Sequence, residues 1–562
     1  MKKIFLIITT VILMFTSCSD VLEQAPLHTP DVTTFWKSES DAQMALNTLY
    51  SYLTDAYGFW RECYSDNAIM TNAWGDGGMG EIKQGNLHPA VGHMLSNSNG
   101  GNRWKYDEIH HILYFLENLQ NVPFDSESVR NRMEGEARFI LAMKYFYLAR
   151  QYGDVPLVRE KPLTLEESRN IGKSPRREVF DYAVENLDKA IAWLPDVKDK
   201  SGKITRYAAL CMKTEVLMWL ACLDQFHGQR MSDKSSQQLW REAASAIQGV
   251  IQSGEYRLED DFVKLFESST NNLDDETILA RQYVENEITN VTNLVGIPGG
   301  VSLRGVGWAS FSAPRDLVDD YECVDGKTIY ESPLYDFVHP WENRDKRLKA
   351  WYLLPGEPVL RANGAYTPFQ SHPDYKVTNQ EAIGGEGGGG RSGYWCIKGV
   401  EMESLFQSGF QNWIIYRYGE ALLFLAESLN ECEPANDSIR WAMDEIRIKR
   451  GGLPSVAPLL GNQAEMRAKI FHERRVEMVM EDKRYWDLLR TKQAEIYMNP
   501  PGNVLYGVNA SFQAYQDSCG HWACEKIIAE PIRFDATKGY VWPVPQSVMD
   551  NNANITQSDP WK

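Results

Sequence analysis

The chain has 562 residues, of which 43% are hydrophobic, and a formal net charge of −18. A chain of this length can bury a large core, and its negative charge disfavours nucleic acid and anionic lipid surfaces as partners. Besides Cys18, eight cysteines are spread along the chain without a CxxC pair, so we predict no structural zinc site. Whether Cys519 and Cys524 form a disulfide stays open.

The N-terminus has the layout of a secretory signal peptide. Two lysines precede an apolar run over residues 4–15, which is too short to span a bilayer. The run leads into Thr-Ser-Cys18, which resembles a bacterial lipobox. By that resemblance, residues 1–17 are a signal peptide, acyl chains on Cys18 anchor the protein to a membrane, and residues 18–30 are a lipidated tether. The alternative is an ordinary signal peptide followed by an incidental cysteine.

Residues 31–260 have the apolar spacing of successive amphipathic helices. We predict helices over residues 41–50, 104–119, 134–152, 176–194, 207–223 and 239–251. Small residues such as Ala137 and Ala183 recur where consecutive helices would cross, which is typical of tetratricopeptide units. A strict 34-residue period is not present. The sequence therefore predicts a mostly all-α fold, with a tetratricopeptide-like helical-repeat scaffold that is not a regular array.

A loop-rich region over residues 261–412 interrupts the helices. Gly, Pro, Asn and aromatic residues dominate it, and the glycine run over residues 384–390 suits neither a helix nor a strand interior. Helical spacing returns in residues 413–562. The helices predicted there span residues 418–429, 439–450 and 465–490. We expect them to pack with the N-terminal helices as one domain, with the loop-rich insertion carrying the ligand-binding face.

Five segments resemble motifs of one family. They are Glu136–Leu157, Asn343–Arg347, Tyr416–Glu427, Glu473–Arg490 and Trp542–Trp561. In this order, over more than four hundred residues, they resemble the SusD/RagB family of outer-membrane nutrient-binding lipoproteins of Bacteroidota. The chain departs from the family's pattern at Lys346, where the family usually has proline, at Gly419, where it has alanine, and at residues 558–560.

The resemblance implies a function. Members of the family capture glycans and pass them to a partner, a SusC-like TonB-dependent transporter of the outer membrane. By this resemblance, the chain is a carbohydrate-binding protein of nutrient uptake and polysaccharide utilisation. It would lie at the cell-surface face of the outer membrane, held by the lipid on Cys18. We then expect no enzymatic activity and no cofactor, while the question of a bound calcium ion stays open.

The charged motif segment has a structural interpretation. Glu473, Glu477 and Glu481 recur every four residues with arginines between them, which indicates an ion-paired helix packed against its neighbours. The alternative, a catalytic carboxylate pair, requires two carboxyl groups held across a cleft.

Sequence signatures of enzymes are missing elsewhere. Residues 75–80 fit the spacing GxGxxG, but we predict neither a buried strand before them nor a helix that starts within them, so a dinucleotide site is not expected. The sequence contains neither HExxH nor GxSxG. We therefore predict no catalytic residue.

Two loop tryptophans are the main candidates for binding a sugar. A pyranose has an apolar face and a rim of hydroxyls, so its site needs exposed aromatic rings with polar side chains beside them. Trp74 and Trp308 each stand next to a glycine, where no helical spacing would bury them, and comparable stretches of the SusD/RagB family contribute stacking aromatics. The competing interpretation is that these rings pack against their own protein. The weaker candidates, as hydroxyl partners or further rings, are Asn72, Asp76, Arg304, Tyr283 and Trp60.

Two functions from other classes stay open. A secreted glycoside hydrolase would need two carboxylates about 5–9.5 Å apart in a cleft, and the 76 acidic residues provide many possible pairs. A helical scaffold that binds only protein or peptide would bury Trp74 and Trp308 and bind no glycan.

Overall fold

The computed structural model describes residues 35–70, 79–90, 103–296, 310–336, 339–361, 363–373, 381–384, 390–402, 408–509 and 525–562, together with Gly307. This part of the chain is mostly helical, with few and short strands. Among these residues, no helix combines the length and the apolar character needed to cross a membrane. The predicted fold class is confirmed.

The N-terminal half is built from helices. They are α1 (Glu39–Tyr50), α2 (Gly58–Glu62), α3 (Met79–Lys83), α4 (Tyr106–Leu119), α5 (Glu127–Tyr152), α6 (Leu165–Asn170), α7 (Arg176–Trp193), α8 (Arg206–His227) and α9 (Ser236–Ile251). Helix α5 begins about two turns earlier than predicted. Its first residues, 127–132, are polar except Val129, and none of them is buried, so a single apolar residue gives no spacing that could indicate them.

Helix α5 is central to this half. Nearly every residue from Met133 to Tyr152 is buried, because other elements surround the helix. Gly153 ends it with a φ of 75°, a backbone conformation that glycine adopts without strain. Helix α5 packs against α4 and α7, α7 against α8, and α8 against α9. Successive helices thus bury one another's apolar faces, as in the predicted tetratricopeptide-like scaffold.

Short strands occur between Ile69 and Pro531 and, together with short helices, make up the middle of the chain. The strands are β1 (Ile69–Met70), β2 (Thr277–Arg281), β3 (Phe311–Ser312), β4 (Tyr352–Leu353), β5 (Pro358–Leu360), β6 (Tyr366–Pro368), β7 (Trp395–Cys396), β8 (Trp413–Arg417), β9 (Val504–Asn509) and β10 (Glu525–Pro531). The short helices are α10 (Thr292–Gly296), α11 (Arg315–Asp320) and α12 (Lys346–Trp351). Strands β1, β3, β7 and β4, in this order, form an antiparallel sheet.

Strand β1 corrects one prediction. It is buried and ends directly before residue 71, and α3 begins at Met79, although neither a strand nor a helix was predicted around the glycines of residues 75–80. A dinucleotide fingerprint requires a parallel βαβ unit, whereas β1 has two residues and pairs antiparallel. The described elements therefore do not form a dinucleotide site.

The C-terminal helices share the core with the N-terminal ones. They are α13 (Tyr418–Cys432), α14 (Asp437–Ile446), α15 (Gln463–Glu477), α16 (Arg484–Arg490), α17 (Ala494–Tyr497) and α18 (Gln546–Asn551). Helix α13 packs against α14 and α15 and also against α9. One hydrophobic cluster consequently contains side chains from both ends of the chain.

The single helix predicted over residues 465–490 is wrong. Helix α15 ends at Glu477 and α16 begins at Arg484, with Met480 and Asp482 at φ values of 63° and 60° between them. The carbonyl oxygen of Glu477 accepts a hydrogen bond from Lys398 Nζ at 2.8 Å, in place of the backbone N–H that would continue the helix. Glu481 therefore lies in a turn, whereas Glu473 and Glu477 lie on α15.

Candidate functional site

Most of the predicted sugar-binding residues lie outside the described part of the chain. These are Asn72, Trp74, Asp76, Arg304 and Trp308. The predicted lipidation site Cys18 and the pair Cys519 and Cys524 also lie outside it. The residues that border the two tryptophan segments are described, as are Trp60 and Tyr283.

Strands β1 and β3 border the two segments. Strand β1 ends at Met70, before the segment with Trp74, and β3 begins at Phe311, after the segment with Trp308. The strands pair antiparallel, with Met70 opposite Phe311. Because antiparallel strands run in opposite directions, the chain leaves β1 and enters β3 at the same end of the sheet. Two stretches that are distant in sequence thus adjoin one edge of the described structure.

Trp60 is packed behind this pair of strands. Its ring meets Phe311 edge-to-face, with 5.5 Å between the ring centroids, and 7% of the residue is exposed. Phe59 stacks on the same Phe311 ring at 6.2 Å and meets Trp413 edge-on at 5.1 Å. As it lies, Trp60 offers no free face to a pyranose and supports the strand end instead.

Tyr283 is also inside the protein, with 8% of the residue exposed. Its hydroxyl oxygen accepts a hydrogen bond from the backbone N–H of Ala56 at 3.2 Å, and burial raises the pKa of its phenol. The Arg281 guanidinium lies 5.8 Å from its ring centroid. Tyr283 therefore ties the end of β2 to the turn after α1.

A polar pocket of about 120 Å³ lies beside these two aromatic residues. Arg61, which follows Trp60, and Arg281, which lies near the Tyr283 ring, both line it. The remaining lining residues are Ser51, Tyr52, Leu53, Thr54, Asp55, Arg103, Lys105, Glu108, Lys144 and Tyr147. Sequence analysis missed this pocket because its residues come from separate stretches of the chain and form no motif.

Other described features offer less to a sugar. A larger cleft of about 810 Å³ lies between α4, residues 156–171 and α18. Its walls are mainly apolar, and neither Trp60 nor Tyr283 lines it. Within the described ranges, His, Cys, Asp and Glu side chains form no group of three or more that could hold a metal ion.

The charged motifs form a buried ion cluster. Its members include Glu276, Asp345, Arg347, Lys398, Arg417, Arg447, Arg450, Glu473, Glu477 and Glu481. Arg347 Nη1 lies 2.7 Å from a Glu473 oxygen and 2.9 Å from a Glu477 oxygen, and Arg417 Nη1 lies 2.8 Å from Glu477. The cluster joins β8, α12 and α15 in the interior, in agreement with the predicted ion-pairing role of these glutamates.

Two glutamates of the ion cluster, Glu477 and Glu481, are held ionised. Burial alone would raise the pKa of Glu481, but Arg417 and Lys398 outweigh it and lower this pKa to about 2. Burial is likewise outweighed at Glu477, where three arginines, Arg450 foremost, hold the pKa well below its usual range. A general acid of glycoside hydrolysis needs a raised pKa and access to substrate. Glu477 and Glu481 have neither.

Two departures from the family pattern have structural explanations. A Cβ at Gly419 would lie 2.4 Å from Arg417 Nη1 and 3.0 Å from Glu276 Oε1, so the ion cluster occupies the space that alanine would need. Lys346 is the first residue of α12, after the N-cap Asp345. Proline is favoured at that helical position, so lysine and proline both suit it.

Two family models match the chain. The model described as "SusD family" matches residues 275–561, and the model described as "Starch-binding associating with outer membrane" matches residues 37–216. A curated relative, SusD-like protein P2 of Formosa agariphila, is 24% identical over 573 residues, and the match covers 100% of each chain.

Solved structures have the same fold. A SusD-like carbohydrate binding protein from Bacteroides fragilis is 26% identical with a TM-score of 0.77, and the match covers 93% of this chain and 100% of that one. Surface glycan-binding protein A from Bacteroides uniformis is 18% identical with a TM-score of 0.65 and the same coverage. The first family model spans more than half of the sequence. The chain therefore belongs to the SusD family.

Proposed function

We propose that this protein binds oligosaccharide or polysaccharide through the segments that contain Trp74 and Trp308. The pairing of β1 with β3 carries the proposal, because both segments adjoin the same end of that strand pair. Two aromatic rings on adjoining segments suit the apolar faces of successive pyranose rings. Asn72, Asp76 and Arg304 would bond the hydroxyl rim.

The comparisons support this proposal. The Bacteroides fragilis neighbour is named as carbohydrate binding, and one matching family model is described as starch-binding. Trp60 and Tyr283, which are buried beside β3 and the polar pocket, would hold the binding segments in place without stacking on the sugar.

We further propose that the protein passes its glycan to a SusC-like TonB-dependent transporter. Its place would be the cell-surface face of the outer membrane, where acyl chains on Cys18 would hold it. The description of the second family model, which names association with the outer membrane, supports this location. Anchoring beside the transporter would raise the effective concentration of captured glycan at its entrance.

Titration of the chain lacking residues 1–18 against a panel of polysaccharides tests the binding site. We expect Trp74→Ala and Trp308→Ala each to weaken binding by about tenfold or more, because removing a stacked ring at the centre of a site costs about 2 kcal/mol. Trp441→Ala is the control, since this tryptophan is 36% exposed on α14 and should leave affinity unchanged. Wild-type affinity in both loop variants would contradict the assignment.

An assay for reducing ends and the titration together separate the competing functions. If the protein is a binding protein, incubation with the bound glycan releases no reducing ends, whereas a glycoside hydrolase would release them. A scaffold for protein or peptide would bind no polysaccharide of the panel. Thermal melts of each variant check that it is folded.

A further inference from the structure

The polar pocket beside Trp60 and Tyr283 carries excess positive charge. Asp55 and Glu108 line this pocket. A third carboxylate, that of Asp482, lies beside it, with 2.7 Å between its Oδ2 and Arg61 Nε. The charged side chains that meet here are five cations and three carboxylates: Arg61, Arg103, Lys105, Lys144, Arg281, Asp55, Glu108 and Asp482. Two positive charges are therefore left without a counter-charge in this group.

Two guanidinium groups of the pocket have unused hydrogen-bond donors. Arg61 is 2% exposed, and its Nη2 has no hydrogen-bond partner among the described residues. Nε of Arg103 likewise has none, and its Nη2 lies 3.7 Å from Asp482 Oδ2, which is too long for a hydrogen bond. Burial and the neighbouring Arg61 charge lower the pKa of Arg103. Buried donors without an acceptor are costly, so these groups suit an acceptor that a ligand brings.

The surrounding contacts hold the cations in place. The Arg103 guanidinium lies 4.8 Å from the Tyr147 ring centroid, and Lys144 is paired with Glu108. At the rim, Arg281 Nη1 donates a hydrogen bond to the Leu53 carbonyl oxygen at 3.0 Å. Because these side chains are already ordered, a ligand would not have to immobilise them on binding.

The pocket has room for a small ligand group. Its volume of about 120 Å³ is enough for several water molecules, so it admits a carboxylate or a sulfate group. The side chains of Asp55 and Arg281 at the rim are 27% and 23% exposed, so the pocket is open to solvent. Trp60, next to Arg61, contacts Phe311. Phe311 lies at the end of the β1–β3 pair where the segment with Trp74 begins and the segment with Trp308 ends.

We infer that this pocket receives an anionic substituent, a carboxylate or a sulfate ester, of the glycan bound by the Trp74 and Trp308 segments, so that the protein selects acidic glycans. The inference rests on the proposed function and specifies its ligand class. The charge of −18 on the whole chain opposes long-range attraction of an acidic polymer. Recognition is therefore local, through buried guanidinium groups that salt screens less than surface charges.

Titrations with charged and neutral forms of similar backbones test the inference on the chain lacking residues 1–18. Polygalacturonate is compared with its methyl ester, which tests a carboxylate, and carrageenan with agarose, which tests a sulfate ester. We expect the charged member of one pair to bind at least about tenfold more tightly than its neutral counterpart. Arg103→Gln should remove this preference, so that the charged and neutral forms bind with similar affinity. The matched control is Lys189→Gln, which removes one charge from the 39% exposed side chain on α7 and should keep the preference.

A second variant, at the pocket rim, keeps the inference testable if Arg103→Gln misfolds. Arg281→Gln, checked by a thermal melt, should also reduce the preference for the charged form. Equal affinity for charged and neutral forms, or a charge preference that both arginine variants retain, overturns the inference. The inference is also overturned if a neutral glycan of the polysaccharide panel binds while polygalacturonate, its methyl ester, carrageenan and agarose do not.

The two hypotheses fail in distinguishable ways. Loss of neutral-glycan binding in Trp74→Ala and Trp308→Ala, with no effect of Arg103→Gln on any ligand, would leave the proposed function standing and overturn the anion pocket. A charge preference that depends on Arg103 but not on either tryptophan would support the pocket and contradict the proposed tryptophan site.

Discussion

Glu481 is buried in the turn between α15 and α16, yet its carboxylate stays ionised because Arg417 and Lys398 both bond it. Removing the carboxylate would leave two buried cations short of a partner. The spacing of glutamates and arginines was enough to predict ion pairing at this residue. It could not indicate which cations take part, because Arg417 and Lys398 reach Glu481 from distant segments through the fold.

Acid should weaken the protein through this residue. The pKa of Glu481 falls from 4.5 to about 2 on folding, so its contribution to stability is fully present above pH 4.5 and is lost as the pH falls through 2. We expect Glu481→Gln to lose about 3–5 kcal/mol in the free energy of unfolding at neutral pH. It should also show a shallower pH dependence than wild type in that window.

Urea denaturation across this pH range measures both effects. Glu185→Gln, at a glutamate whose side chain is 51% exposed on α7, is the matched control and should behave as wild type. If Glu481→Gln lost stability in acid as steeply as wild type, the ion pairs of this carboxylate would not be the cause.

The helices of the scaffold were predictable because their apolar spacing is local. Helix α7 begins at Arg176 and α9 ends at Ile251, as the sequence predicts. The break between α15 and α16 was not predictable, because neither glycine nor proline stands between Glu477 and Arg484. Lys398, from elsewhere in the chain, donates there to the Glu477 carbonyl oxygen, which would accept the next backbone hydrogen bond of the helix. Local spacing contains no information about this side chain.

At the start of α13, a substitution can test whether the crowded surroundings of Gly419 tolerate the alanine that the family usually has there. We expect Gly419→Ala, which introduces the family's usual residue, to lower the free energy of unfolding by about 1–3 kcal/mol. The new Cβ would lie 2.4 Å from Arg417 Nη1, and this guanidinium cannot withdraw without breaking its pairs with Glu276 and Glu477. Gly172→Ala, where a Cβ meets no atom within 4 Å, is the control. Equal stability of the two variants in urea would show that the ion cluster can shift.

At the scale of the whole molecule, one hydrophobic cluster runs from Ala42 to Trp542. Helix α9 of the N-terminal half packs against α13 of the C-terminal half, so each half covers apolar surface of the other. The overall class of this arrangement followed from the sequence. The approach of β1 to β3 and the composition of the polar pocket did not, because both depend on which distant segments the scaffold brings together.

This shared core should make unfolding cooperative. We expect the chain lacking residues 1–18 to unfold in one thermal transition, coincident by circular dichroism and tryptophan fluorescence. A fragment of residues 31–260 should lack a cooperative transition, because it would expose the face of α9 that α13 covers. A fragment that melts cooperatively on its own would show that the two halves are independent.

The β1–β3 pairing also bears on how the protein folds. Met70 and Phe311 are far apart along the chain, and contacts between such distant residues form slowly because a long loop must first close. The edge that both tryptophan segments adjoin is complete only when the two strands have met. In the proposed binding mode, a newly synthesised molecule would thus gain its affinity for glycan late, and the onset of binding would report the end of folding.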